Sequence, residues 1–132
     1  MSIRVLSCLV ITLALSACGG SGPPTAQQVS EKLTAAGASK FYDEDVSKGP
    51  VPQSFTAHQA FEVASVAPKG GQYFVCDTKK NCDAIFAYFD ALKALAGPYT
   101  YQSPSGTVVV QLNSGLKPDE AAKFEAAIKS LP

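Results

Sequence analysis

Four cysteines and a single histidine are the residues of this 132-residue chain with the most chemistry to offer. Cys8 and Cys18 lie near its start, Cys76 and Cys82 in its middle, and His58 stands apart from all of them. Two thiols with five residues between them and one distant imidazole make an incomplete zinc set, since a structural zinc takes four ligands. The same spacing departs from the thioredoxin-like motif, which leaves two residues between its cysteines. No metal and no cofactor is therefore expected. His58 would have to serve any histidine-dependent mechanism. A serine triad places its nucleophile on a sharp turn, yet no Gly-x-Ser-x-Gly occurs, and Ser114-Gly115 has ordinary turn composition. Glu62, Asp83 and Asp90 could meet in space, but nothing in their spacing calls for a glycosidase-type pair. Gly19-Gly20 and Gly70-Gly71 do not make a phosphate loop. No catalytic residue is assigned, and a small envelope enzyme ranks third among the functional readings.

Charge removes another class. Basic and acidic residues number 11 each, and Arg4 is the only arginine. Lys79-Lys80 is the only run of adjacent cations. Nucleic-acid binding relies on a basic face and on the bidentate fork of arginine, so no nucleic-acid partner is expected.

The chain opens Met1-Ser2-Ile3-Arg4, stays almost wholly apolar from Val5 to Leu15, and continues Ser16-Ala17-Cys18-Gly19-Gly20. One cation, a short apolar core and small residues before a cut are the parts of a secretory signal. The apolar run is too short to cross a bilayer as a helix, which takes roughly 20 residues. Leu15-Ser16-Ala17-Cys18 resembles the lipobox of bacterial lipoproteins, a likeness confined to the first twenty residues or so but specific within them. The resemblance implies that residues 1–17 are removed. It implies too that Cys18 carries a thioether-linked diacylglycerol and, after cleavage, an N-acyl chain such as palmitate. The membrane, reached through that lipid, is then the first partner. The implied location is the cell membrane, with the protein facing the periplasm or the cell exterior. Gly19 in place of an aspartate after the cysteine leaves the outer membrane open as a destination. The stretch Phe74 to Ile128 also looks like small bacterial lipoproteins of unknown function, which implies nothing about activity.

On this reading Cys8 leaves with the signal and Cys18 takes lipid, so Cys76 and Cys82 remain as a pair. Export places them where disulfides form and persist, and a structural bridge is expected. Residues 18–24, Cys-Gly-Gly-Ser-Gly-Pro-Pro, form a flexible tether extended at its end by two prolines. Residues 25–132 are the size of one small domain.

Within that domain Thr25-x-x-Gln28 fits a capping box, Val29, Leu33 and Ala36 follow at helical spacing, and Gly37 supplies the stop. Lys40 to Pro52, with Asp43-Glu44-Asp45 and several prolines and glycines, reads as a solvated connection. It lacks the ligand spacing of a calcium loop. A strand is expected between Phe55 and Ala67, a turn at Pro68 to Gly71, and an antiparallel partner strand at Tyr73 to Cys76. Asn81 is the expected N-cap of a central helix carrying Ile85, Phe89, Leu92 and Ala96 and ending at Gly97-Pro98. Tyr99–Gln102 and Thr107–Leu112 form a hairpin around Ser103-Pro104-Ser105-Gly106. Pro118, Asp119 and Glu120 open a last helix with Ala121, Phe124, Ile128 and Leu131 on its buried stripe.

The expected fold is thus α+β: an antiparallel four-stranded sheet with helices packed on one face, in the order α-β-β-α-β-β-α. The repeated strand-strand-helix suggests a pseudo-symmetric pair of units. Tyr99 and Tyr101 share one strand face, and their hydroxyls need water or a partner, which makes them a candidate binding surface. The leading expectation is a lipid-anchored, non-enzymatic binding or interaction module whose partner is an envelope protein or a wall polymer. An accessory subunit of an envelope complex or transporter comes second.

Overall fold

Thr25 and Gln28 close the capping box that starts the first helix, α1 (Ala26–Ala36). The Gln28 N–H donates to Thr25 Oγ1 at 3.2 Å, and the Thr25 N–H donates to Gln28 Oε1 at 2.8 Å. Gly37 ends it at φ 120°, a backbone conformation that residues with a Cβ rarely adopt. These details come from a computed structural model that describes residues 22–132. The signal, Cys18 and most of the tether lie outside the described residues.

The chain continues through β1 (Ala38–Tyr42), β2 (Ala57–Val63), a 3-10 turn (Ala64–Val66) and β3 (Gly70–Val75). The helices α2 (Lys79–Ala91) and α3 (Lys93–Ala96) follow, then β4 (Thr100–Gln102), β5 (Val108–Leu112) and α4 (Pro118–Lys129). The strands form one antiparallel sheet in the order β1-β2-β3-β5-β4. The α+β class holds, but four expectations need correction. The sheet has five strands, because Ala38–Tyr42, expected in part as the start of a loop, pairs with β2. That strand carries an extra residue between Ser39 and Tyr42 and places Lys40 at φ 50°, so it is short, bulged and hard to read from alternation. Thr78, not Asn81, caps α2; its hydroxyl accepts from the Asn81 N–H at 3.3 Å. The expected continuous run to Ala96 is interrupted at Leu92, where a second short helix begins.

The fourth correction concerns the faces. Val29 and Leu33 of α1 and Ala121, Phe124 and Ile128 of α4 pack on Phe61, Val63, Tyr73, Val75, Val108, Val110 and Leu112. Cys82, Ile85 and Phe89 of α2 pack instead on Phe74, Val109 and Cys76. Alternate residues of β3 and β5 point to opposite faces, so α1 and α4 cover one face and α2 the other. Helices on one face, and a symmetric pair of strand-strand-helix units, are both ruled out by this placement.

Cys76 and Cys82 are joined by a disulfide, with 5.6 Å between their Cα atoms and both side chains fully buried. It ties the end of β3 to the first turn of α2. Replacing both by alanine is expected to remove about 2.4 kcal/mol of stability, the loop-entropy contribution of a bridge closing about seven residues. Urea titration checks this; a loss within ~0.5 kcal/mol of zero would contradict it.

Beside the bridge, Asp83 accepts from Lys79 Nζ at 2.7 Å and from Gln102 Nε2 at 2.8 Å. The Lys79 hydrogen bond, then that of Gln102, holds the Asp83 carboxyl below the usual aspartate range. A carboxyl lowered on folding stabilises above its unfolded pKa, and that contribution is lost as pH falls through the folded value. Asp83→Asn should therefore flatten the decline in thermal midpoint below about pH 4, an effect weakened by salt because the site is exposed.

Candidate functional site

The two sheet faces differ in how completely they are covered. On the face opposite α1 and α4, α2 lies over β5 and β4, which leaves outward residues of β1, β2 and part of β3 without a helix above them. Gln72, Gln111 and His58 lie on this face, next to one another on β3, β5 and β2. Their side chains form a chain of hydrogen bonds across three strands. Gln111 Nε2 donates to the carbonyls of Ala96 (3.1 Å) and Leu112 (2.8 Å). Carbonyls only accept, so Gln111 must present Oε1 to its neighbour. Gln72 Nε2 donates to that oxygen at 3.0 Å, which turns Gln72 Oε1 toward His58 Nε2 at 2.9 Å. An amide oxygen only accepts, so His58 donates from Nε2 and closes the ladder.

The His58 ring is otherwise explained by packing. It stacks on Phe74 with centroids 4.5 Å apart and lies 5.7 Å from Phe55. An amide oxygen and two phenyl rings are its neighbours in these contacts.

Two hollows, about 260 Å³ each, open over this floor. One is lined by Tyr42, Ala60, Lys69, Gln72, Gln111 and Asn113, the other by Asp43, Asp45, Phe55 and His58; Glu44 borders both. Tyr42 is 46% exposed, one of two large apolar side chains among the described residues that face solvent this far. It pairs with Ala60 across the β1 bulge, so its ring stands on the open face, while its neighbour Phe41 turns inward to Phe61 and Tyr73. Gly71 belongs to the architecture beneath: a Cβ there would come within 2.6 Å of the Gln111 carbonyl and 2.8 Å of the Phe61 ring. Any larger residue would push β3 away from β5.

The rim is acidic. Asp45 is held below the usual aspartate range by the Ser47 hydroxyl and then the Ser47 N–H. Glu62 is paired with Lys40 at 3.0 Å, which also puts a lysine on the exposed sheet edge. Two larger hollows, about 350 and 380 Å³, lie along α1 and α4. The first is lined by Pro24, Leu131 and Pro132 with Gln28, Glu31, Lys32 and Ser130, the second by alanines with Lys32, Lys123 and Ser130.

No protein-family model, no curated protein and no solved structure matches the chain. The residues alone speak for the site.

Of the residues singled out from sequence, Cys18 lies outside the described residues, and Cys76 and Cys82 form the disulfide. Tyr99 and Tyr101 are half-buried on the other face, packed against the core under α1 and α4. Burial, then the charge of Glu125, raises the Tyr101 hydroxyl above the usual tyrosine range. Neither tyrosine lines a hollow of the open face. Tyr42 and Gln72 were passed over, Tyr42 because its strand went unread. Gln111 did carry a signal, since alternation sets it opposite Val110 and Leu112. Tyr73, expected in a strand, is fully buried; its hydroxyl donates to Gln59 Oε1 at 2.8 Å, and burial, then Asp43, raises its pKa. Among the described residues, no group of three His, Cys, Asp or Glu could hold a metal ion, and no helix is long and apolar enough to cross a membrane.

Proposed function

We propose that this chain is a lipid-anchored envelope lipoprotein carrying a non-enzymatic binding module, with the open half of the sheet as its binding face. The observation that carries the binding reading is the His58–Gln72–Gln111 ladder. Its hydrogen-bond direction is set by two backbone carbonyls, so the face presents ordered polar groups that need no rearrangement when a partner arrives, which lowers the entropic cost of binding. The anchor is Cys18, the tether runs to Pro24, and the disulfide suits a location outside the cytoplasm. The partner on this reading is an envelope protein or a wall polymer.

Purified cell envelope should retain the wild-type protein, and Tyr42→Ala should weaken retention by about tenfold, the equivalent of about 1.4 kcal/mol, without lowering the thermal midpoint. Unchanged retention by Tyr42→Ala combined with Gln72→Ala would sink the assignment of this face.

A second reading, an accessory subunit of a larger envelope assembly, is favoured by Leu95, 84% exposed on α3. A stoichiometric complex recovered from membranes and lost in Leu95→Asp, but kept in Tyr42→Ala, would select it.

A further inference from the structure

We propose, resting on the open face as the binding face, that its Tyr42 hollow takes a neutral glycan chain, one pyranose ring stacked on Tyr42 with its hydroxyls on Gln72, Gln111 and Asn113. Counting donors and acceptors leads to this class. Gln111 uses both amide hydrogens on backbone carbonyls and keeps one oxygen lone pair beside the bond from Gln72. Gln72 keeps one N–H and one lone pair. Asn113 Oδ1 accepts from the Gly115 N–H at 2.9 Å, and its amide hydrogens have no protein partner in hydrogen-bond range among the described residues. Strands about 4.8 Å apart thus offer a mixed row of donors and acceptors. Sugar hydroxyls, which both donate and accept, match such a row. An apolar ligand would strip water from these amides and leave them unsatisfied.

Charge points the same way. Lys69 and Glu44 are the charged residues lining this hollow, one of each sign, and Asp43 and Asp45 add only carboxylates in the second, so the first hollow suits a neutral polymer and the face disfavours a polyanion. The exposed Tyr42 ring offers the flat apolar surface that the C–H face of a pyranose can cover. An extended peptide adding to the sheet at β1 is disfavoured by the bulge and by Lys40 on that edge. Because Glu44 borders both hollows, a chain leaving the first reaches Phe55 and His58 in the second.

The test is a titration of the isotope-labelled full chain in detergent with two neutral probes, cellohexaose and the N-acetylglucosamine hexamer, followed by amide NMR. The expected result is saturable shifts at Tyr42, Gln72, Gln111 and Asn113 with at least one probe, at a Kd near or below about 1 mM. Tyr42→Ala and Gln72→Leu should each weaken binding by about tenfold, while Tyr101→Phe, on the other face, keeps it. Unshifted amide resonances away from the hollow in the two weakened variants guard against a folding defect. Absence of shifts with both hexamers would overturn the proposal, as would binding indifferent to Tyr42→Ala. So would equally tight binding of heparin to the same residues. If neither hexamer binds but Tyr42→Ala still abolishes envelope retention, the glycan is wrong and the binding face stands.

Discussion

Replacing Cys18 by alanine is expected to move the protein out of the carbonate-resistant membrane fraction. Each buried methylene of an acyl chain contributes about 0.8 kcal/mol, so two or more chains hold a protein where a single chain binds reversibly. No helix among the described residues is long and apolar enough to cross a membrane in place of such a lipid. A retained leader would not replace it either, because the run from Val5 to Leu15 falls well short of the roughly 20 residues a span takes. Mass spectrometry of the wild-type membrane fraction should find a chain beginning at Cys18 with acyl mass attached. Recovery of unlipidated chain beginning at Met1 would remove the anchor, and with it the location argued for the binding face.

The largest loss of stability is expected for Phe124→Ala. Phe124 is 1% exposed and stacks on Phe61 with ring centroids 5.9 Å apart, where α4 meets the sheet. Deleting a buried phenyl ring removes its transfer free energy and leaves a cavity that well-packed neighbours fill only in part, about 3–5 kcal/mol in all. For a domain of this size that lowers the thermal midpoint by roughly 15 °C. Leu95→Ala on the exposed α3 should change it little, since its side chain is already in water. Chemical denaturation of both variants gives the comparison; a loss below about 1 kcal/mol for Phe124→Ala would mean that this core does not carry the fold.

The starts of α1 and α4 were legible because they are local. Thr25 with Gln28, and Pro118 with Asp119 and Glu120, satisfy or complement the free N–H groups of a first turn using residues at most three positions away. The β4–β5 hairpin was legible for the same reason: Ser103 to Gly106 closes a turn, with the Gly106 N–H donating to the Ser103 carbonyl at 2.9 Å. β1 was not legible, since its bulge breaks the alternation that marks a strand and its partner lies some twenty residues downstream. The double covering of the sheet did leave a trace. Tyr73-Phe74-Val75-Cys76 and Val108-Val109-Val110 are continuous apolar runs, and such runs belong to strands buried on both faces. Read as half-buried strands, they led to helices on a single face.

The site divides along the same line. Polar positions such as Gln111 within an apolar strand can be read from the chain, and so can the excess of carboxylates between β1 and β2. Which glutamines meet cannot, because Gln72 and Gln111 are 39 residues apart and become neighbours only when β3 pairs with β5. By itself the sequence determined the α+β class, both ends of α1 and the start of α4, the pairing expected of Cys76 with Cys82 and the lipobox-like start, all matters of near neighbours. The tertiary structure alone decided that α2 crosses to the other face, that Tyr99 and Tyr101 turn toward the core, and that His58, Gln72 and Gln111 share a ladder beside Tyr42. Those depend on strand order and on which face a helix covers, and both are set by the burial of whole surfaces.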